Sequence, residues 1–325
     1  MVFIKSLNKN IWPFYVAPKE DELFTSWFYR MSLECGIRPI PFSNSCFGRD
    51  TPFWNRDIDF IIPKKIIQIV LKYTPLNKEE VINMSLQKYS GLAFENLKLN
   101  SHNFNVNPIG VKHRKRKQYG LVYCPSCIND NYFRISWRLQ TSIFCVKCKK
   151  RLIDRCFKCN EPISFYRINF GRKKRMNEFL FFCSNCGADL RKVNIQEITL
   201  SELLYQNFID TTIRLGYNHV SNYSFSYIKV LLMLSSKVKT SSDLNQFKIN
   251  FQEKYNIKIE GKREMFYLTS IEDKRKILVK VNEMLMGWPE TFFKVYRLKK
   301  FNNSNLVDNI DKMPYWVYFN LKFKS

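Results

Sequence analysis

Four Cys-x-x-Cys pairs, Cys124/Cys127, Cys145/Cys148, Cys156/Cys159 and Cys183/Cys186, follow one another with 17, 7 and 23 residues between them. A Cys-x-x-Cys turn lets two thiolates converge on one ion. Two such turns complete a tetrahedral all-sulfur site, which Zn2+ accepts because it has no d-electron preference for another geometry. Gaps of 17 and 23 residues match zinc-ribbon spacing, with a hairpin expected to fill each gap. The spacing therefore predicts two structural zinc ions. Sequential pairing, first turn with second and third with fourth, is favoured, while an interleaved cross-brace also fits the short middle gap. Two complete four-thiolate sets leave no open coordination position, so the metals are expected to be structural and not hydrolytic. Ferredoxin spacings differ from this one, and a redox Cys-x-x-Cys needs a βαβ context that the sequence lacks. Cys35 and Cys46 have no partner of suitable spacing and are expected to be small buried hydrophobes.

Metal ligation is favoured over disulfides because the chain reads as soluble and intracellular, where thiols stay reduced. No run approaches the roughly 18 apolar residues of a membrane span. The opening MVFIKSLNKNIWPF lacks the apolar stretch of a signal peptide. With 53 Lys+Arg against 28 Asp+Glu, the formal net charge is +25, which favours a polyanionic partner, nucleic acid before an anionic membrane surface. Residues 112–192 hold 20 of those cations against 5 acidic residues, so the charge concentrates beside the cysteines. Lys112, Arg114, Lys115, Arg116 and Lys117 precede the first pair. Arg172, Lys173, Lys174 and Arg175 fall inside the last gap. These nine are the candidate phosphate contacts.

The flanks read as helical. Leu23, Phe24, Trp27, Phe28 and Met31 recur at helical spacing. Glu20, Asp21 and Glu22 are expected in the first turn, where they suit the macrodipole, and Gly36 should end the helix. Lys64–Tyr73 predicts a short amphipathic helix. Asn77 and Glu80 form a capping box for the next, expected to run to about Ser90 with Leu76 and Val81 as a hydrophobic staple. The two resemble a helix-turn-helix in outline, and a plain helical hairpin fits equally. Further on, helices are expected at 201–215, ended by Gly216, and at 224–236. Another starts from a Thr269/Glu272 capping box and ends at Gly287. A last helix restarts at Trp288-Pro289, with Phe292, Phe293 and Tyr296 inward. Its outward Lys294 and Arg297 make it a candidate recognition helix, or a solvated basic face. The resulting architecture is mainly α: helical domains at 1–110 and 193–325 flank a tandem four-cysteine zinc-ribbon module at 111–192.

Catalytic signatures are lacking: the sequence has no GxxxxGK[ST], HExxH, GxSxG or GxGxxG. His102, His113 and His219 are isolated. Asp57 and Asp59 invite a metal-dependent nuclease reading, but a structural role, with Arg56 or a helix N-terminus as partner, is favoured. The chain is expected not to be an enzyme.

Several segments together resemble the TniQ/TnsD family of target-selection proteins of bacterial transposons: Pro18 to Arg30, Phe53 to Asp59, Tyr123-Cys124-Pro125-Ser126-Cys127, Tyr132 to Arg138, Leu152 to Cys156, Asp273-Lys274-Arg275 and Gly287-Trp288-Pro289. The family's second cysteine turn usually reads Cys-x-x-His, whereas here it is Cys145 and Cys148. The resemblance implies a non-enzymatic adaptor that selects the insertion site on double-stranded target DNA and recruits an AAA+ ATPase regulator. Such a protein works in the cytoplasm, on the nucleoid. Some members instead ride on a CRISPR RNA-guided complex, in which case this chain would be a protein-interaction scaffold without DNA contacts of its own. A homodimer is left open.

Overall fold

Apolar residues at helical spacing account for most of the structure outside the cysteines. The computed structural model describes residues 11–97, 105–109, 120–165, 179–259, 264–296 and 313–323. Among them are ten α-helices and one two-stranded sheet, the mainly α architecture that the sequence predicts. The chain divides into two units, each assembled from separated stretches. The first comprises Met1–Lys88, Asn107–Arg138 and Ile153–Ile195, and the second Tyr89–Val106, Leu139–Leu152 and Gln196–Ser325.

In the first unit, α1 (Phe24–Glu34), α2 (Pro39–Phe47), α3 (Lys64–Tyr73) and α4 (Lys78–Asn83) enclose an aromatic core. The Phe28 ring lies 4.7 Å from Phe42, 4.9 Å from Phe47 and 4.7 Å from Phe53, tilted against each as aromatic rings prefer. The indole N–H groups of Trp27 and Trp54 are satisfied inside this core. Trp27 donates to Val16 O at 2.8 Å, and Trp54 to Ser43 Oγ at 3.0 Å. Gly36, at φ +62°, follows α1 as expected.

Two expectations fail here for reasons of tertiary contact. No acidic side chain occupies the first turn of α1. Asp21 has left the helical path at φ +57°. Glu22 turns inward to accept from Arg30 at 2.7 and 2.8 Å. The helix begun by the Asn77/Glu80 capping box, which forms as read, stops at Asn83 and not near Ser90. The Leu86 N–H donates to Asp59 O at 2.8 Å, which pulls the chain off the helix axis into a 3-10 turn at Leu86–Tyr89.

The second unit contains α5 (Leu200–Leu215), α6 (Ser224–Thr240), α7 (Gln246–Tyr255), α8 (Ile271–Met286), α9 (Glu290–Tyr296) and α10 (Tyr315–Phe323). Here α8 packs on α5 and α6, and α7 on α9. Thr199 and Glu202 cap α5 reciprocally, and Gly216 at φ +83° ends it. The cap of α8 is Ser270, which accepts from the Asp273 N–H at 3.2 Å, not the expected Thr269/Glu272 box. Thr269 closes the 3-10 turn Phe266–Leu268 and is buried, so the next residue is the first free to cap. The sheet pairs β1 (Phe144–Cys145) with β2 (Lys150–Arg151) in antiparallel register. The Gln206 side-chain oxygen accepts from the N–H groups of Ile143 and Phe144 at 3.0 and 3.1 Å, which docks the β1 edge on α5.

Candidate metal centres

The eight paired cysteines converge in two groups: Cys124, Cys127, Cys145 and Cys148, then Cys156, Cys159, Cys183 and Cys186. Within each group all sulfur atoms lie within 4.8 Å of one another, which is the sequential pairing. In the second group Cys156 Sγ is 3.6 Å from Cys186 Sγ, and Cys159 Sγ is 3.7 Å from Cys183 Sγ. A regular tetrahedron with metal–sulfur bonds of about 2.3 Å has edges of about 3.8 Å. A disulfide would bring two sulfurs to about 2.05 Å. The donor set therefore fits a tetrahedral thiophilic ion such as zinc.

Local backbone geometry explains why these turns form. The residue after the second cysteine is left-handed in three of the four pairs: Lys149 at φ +50°, Asn160 at φ +54° and Gly187 at φ +71°. That residue reverses the chain beneath the sulfurs, so the strands pair around each turn. The β1–β2 hairpin encloses Cys145 and Cys148. Isolated bridges Arg155↔Pro162 and Phe182↔Asp189 enclose the third and fourth pairs. The expectation of a hairpin is thus corrected for the first gap, while residues 166–178 of the 23-residue gap lie outside the described residues. The first gap carries the 3-10 turns Cys127–Asp130 and Ser136–Arg138 instead.

Around the second group the packing is close. Leu121 N donates to Ile163 O at 2.7 Å, and Tyr123 and Ile153 exchange two backbone bonds at 2.9 Å. A Cβ on Gly120 would lie 2.6 Å from Ile163 N and 2.9 Å from Asp154 O, so only glycine fits there. Sequence reasoning passed over Gly120, Asn160 and Gly187. The last two carry a readable signal, a residue tolerant of positive φ directly after Cys-x-x-Cys. Burial pushes the Cys156 and Cys183 thiols up, so an arriving cation has to displace protons there.

Most of the cationic candidates, Lys112, Arg114, Lys115, Arg116, Lys117, Arg172, Lys173, Lys174, Arg175 and Arg297, lie outside the described residues, as do His102 and His113. Lys294 is exposed on α9, with Phe292 and Phe293 buried beside it as expected. The first turn of α4, exposed on the helix-turn-helix outline, carries Glu79 and Glu80, charges that repel phosphate. His219 packs against Phe208 with ring centroids 5.7 Å apart, and its Nε2 lies 2.9 Å from Met286 O.

Both carboxylates of the nuclease reading are held in the scaffold. Asp57 accepts from both terminal nitrogens of Arg138 at 3.1 and 2.6 Å. Asp59, fully buried, accepts from the Thr25 N–H at 2.8 Å and the Thr25 hydroxyl at 2.5 Å. Asp59 thus has a helix N-terminus as its partner, one of the two that the sequence predicts. For Asp57 the guanidinium is that of Arg138, not Arg56. Cys35 and Cys46 are each partly exposed, not buried as expected, although burial raises the Cys46 thiol to about 12.

The described residues thus combine mainly helical units with two tandem four-cysteine groups, each able to hold a metal ion. Residues 13–152 match the TniQ family model, the family that the sequence resembles. The matched stretch ends after the first cysteine group and before the second. No curated protein matches the chain. No helix among the described residues is long and apolar enough to cross a membrane.

Proposed function

We propose that this chain is a DNA-targeting adaptor of a transposon, which selects the insertion site and recruits an AAA+ ATPase regulator without catalysing a reaction itself. The observation that carries this reading is the match of residues 13–152 to the TniQ family model, a family of target-selection proteins. Zinc is the ion proposed for both cysteine groups, with Cys124, Cys127, Cys145 and Cys148 as one ligand set and Cys156, Cys159, Cys183 and Cys186 as the other. Its role is structural: binding free energy of the ions becomes folding free energy of these sheet-poor segments. Phosphate contacts are assigned first to Lys112, Arg114, Lys115, Arg116 and Lys117, with Arg172 to Arg175 in support. The proposed place of action is the bacterial cytoplasm, on the nucleoid.

The test is a filter-binding titration of the zinc-loaded chain on duplex DNA across a range of salt. Direct binding through these cations predicts a log–log slope of roughly −0.9 per phosphate neutralised. Absence of duplex binding, alongside capture of the ATPase, would replace this reading with the protein scaffold.

A further inference from the structure

We infer that the exposed ring of Phe179 is a stacking platform for an unpaired nucleobase, so that the protein prefers DNA in which a base has left the helix. This rests on the proposed DNA partner and deepens it. Phe179 is 51% exposed, while the residues after it are anchored. Leu180 and Phe181 are 1% and 8% exposed, and the Leu180 N–H donates to Asn131 Oδ1 at 2.6 Å. The Phe179 and Phe181 rings are stacked, 5.1 Å apart and 7° from parallel. Over Phe181 lies the Arg191 guanidinium, 3.8 Å from the ring centroid.

That guanidinium is fixed from several sides. Arg191 Nε and Nη2 donate to Asp189 at 2.9 and 2.8 Å, and Nη1 donates to Asn129 Oδ1 at 3.0 Å. The outer phenyl ring is therefore presented on a preorganised stack, and little further order is lost when a flat partner lands on it. A cation over one ring of the stack draws π density from it, which suits an electron-rich heterocycle as the next layer.

The choice between a base and an apolar protein side chain turns on charge. Lys192 is exposed next to Arg191. In sequence, Arg172-Lys173-Lys174-Arg175 precede Phe179 by four to seven residues. An exposed ring with cations close by in sequence matches a partner that alternates π faces with phosphates, as nucleic acid does. Duplex DNA shows only base edges in its grooves. A ring face becomes available when a base is unpaired or a step is unstacked, hence the predicted preference.

The experiment uses the full zinc-loaded chain and a short duplex carrying a central unpaired 2-aminopurine, with the fully matched duplex as control. Wild type should quench the 2-aminopurine and bind the interrupted duplex about tenfold more tightly than the matched one, within the range of base–aromatic stacking. Phe179→Ala should keep its metal content and its affinity for the matched duplex but lose the preference and the quenching. Phe179→Trp should restore both. Equal affinity of wild type for the two duplexes, or a preference that survives Phe179→Ala, overturns the inference and leaves the adaptor reading standing. Binding of neither duplex overturns the adaptor reading and this inference with it.

Discussion

The carboxylate of Asp59 closes the N-terminus of α1, 34 residues away in sequence, by accepting from both the backbone N–H and the hydroxyl of Thr25. Leu23, the residue in the capping position, offers no side-chain acceptor. A distant carboxylate thus does what a local Ser or Asp usually does. Asp59→Ala should destabilise the protein by about 2–3 kcal/mol, since a buried donor pair loses its acceptor. Asp59→Asn should cost less than half of that, because the amide oxygen still accepts. Urea unfolding followed by circular dichroism measures both, and an Ala variant as stable as wild type would show that water or a neighbour takes over.

Arg138 and Asp57 set a second expectation. The Arg138 side chain is 1% exposed and that of Asp57 28%. Removing the acid takes the carboxylate away from a buried guanidinium, so Asp57→Ala should cost about 2–3 kcal/mol, discounted from the fully buried range for the exposure of Asp57. Arg138→Met combined with Asp57→Ala should be closer to wild type than the two single losses sum to. A double-mutant cycle with additive losses would remove the pair from the account of stability.

Gly120→Ala addresses the second cysteine group from beneath. The new Cβ meets backbone atoms of Ile163 and Asp154, which cannot rotate away. The strain should cost at least about 2 kcal/mol and shift the segment that precedes Cys156. Elemental analysis should find metal lost from one site with the other retained.

Removal of metal provides the broadest check. Elemental analysis of protein made with zinc should find two ions per chain, one for each group of four thiolates. Cys159→Ser should reduce this to one. A strong chelator should lower the melting temperature and release both ions, as the proposed structural role of zinc requires. Acid should release them too, as protons compete for the thiolates. Full retention of the melting temperature after chelation would mean that the cysteine turns are stable without an ion.

Local signals in the sequence led to the right local structures. The Asn77/Glu80 box, the Gly216 stop and the four cysteine turns each depend on residues within a few positions of one another, and each stands as read. The failures involve contacts outside the local signal, as where the turn Phe266–Leu268 takes Thr269 and leaves the α8 cap to Ser270. Glu22 is drawn from the α1 first turn by Arg30, and α4 is cut short by a bond to Asp59 O. The α2 helix begins Pro39-Ile40-Pro41, whose two prolines mask a helix start. In α10, Tyr315-Trp316-Val317-Tyr318-Phe319 is apolar on nearly every side, so no period stands out. Spacing predicts a hairpin in the first gap and not around the turns because it counts residues without showing where the backbone reverses. The left-handed residues 149, 160 and 187 mark those reversals.

The interleaving of the two units along the chain bears on how the protein is made. The first unit draws its last stretch from Ile153–Ile195, so a nascent chain cannot close it until residue 195 has left the ribosome. By then Tyr89–Val106 and Leu139–Leu152 have also emerged, waiting for the helices that follow. Domains generally form in order as synthesis proceeds. This chain must instead keep pieces of an unfinished unit out of trouble while another completes. Zinc captured by a four-cysteine group as soon as its last turn appears would shorten that wait.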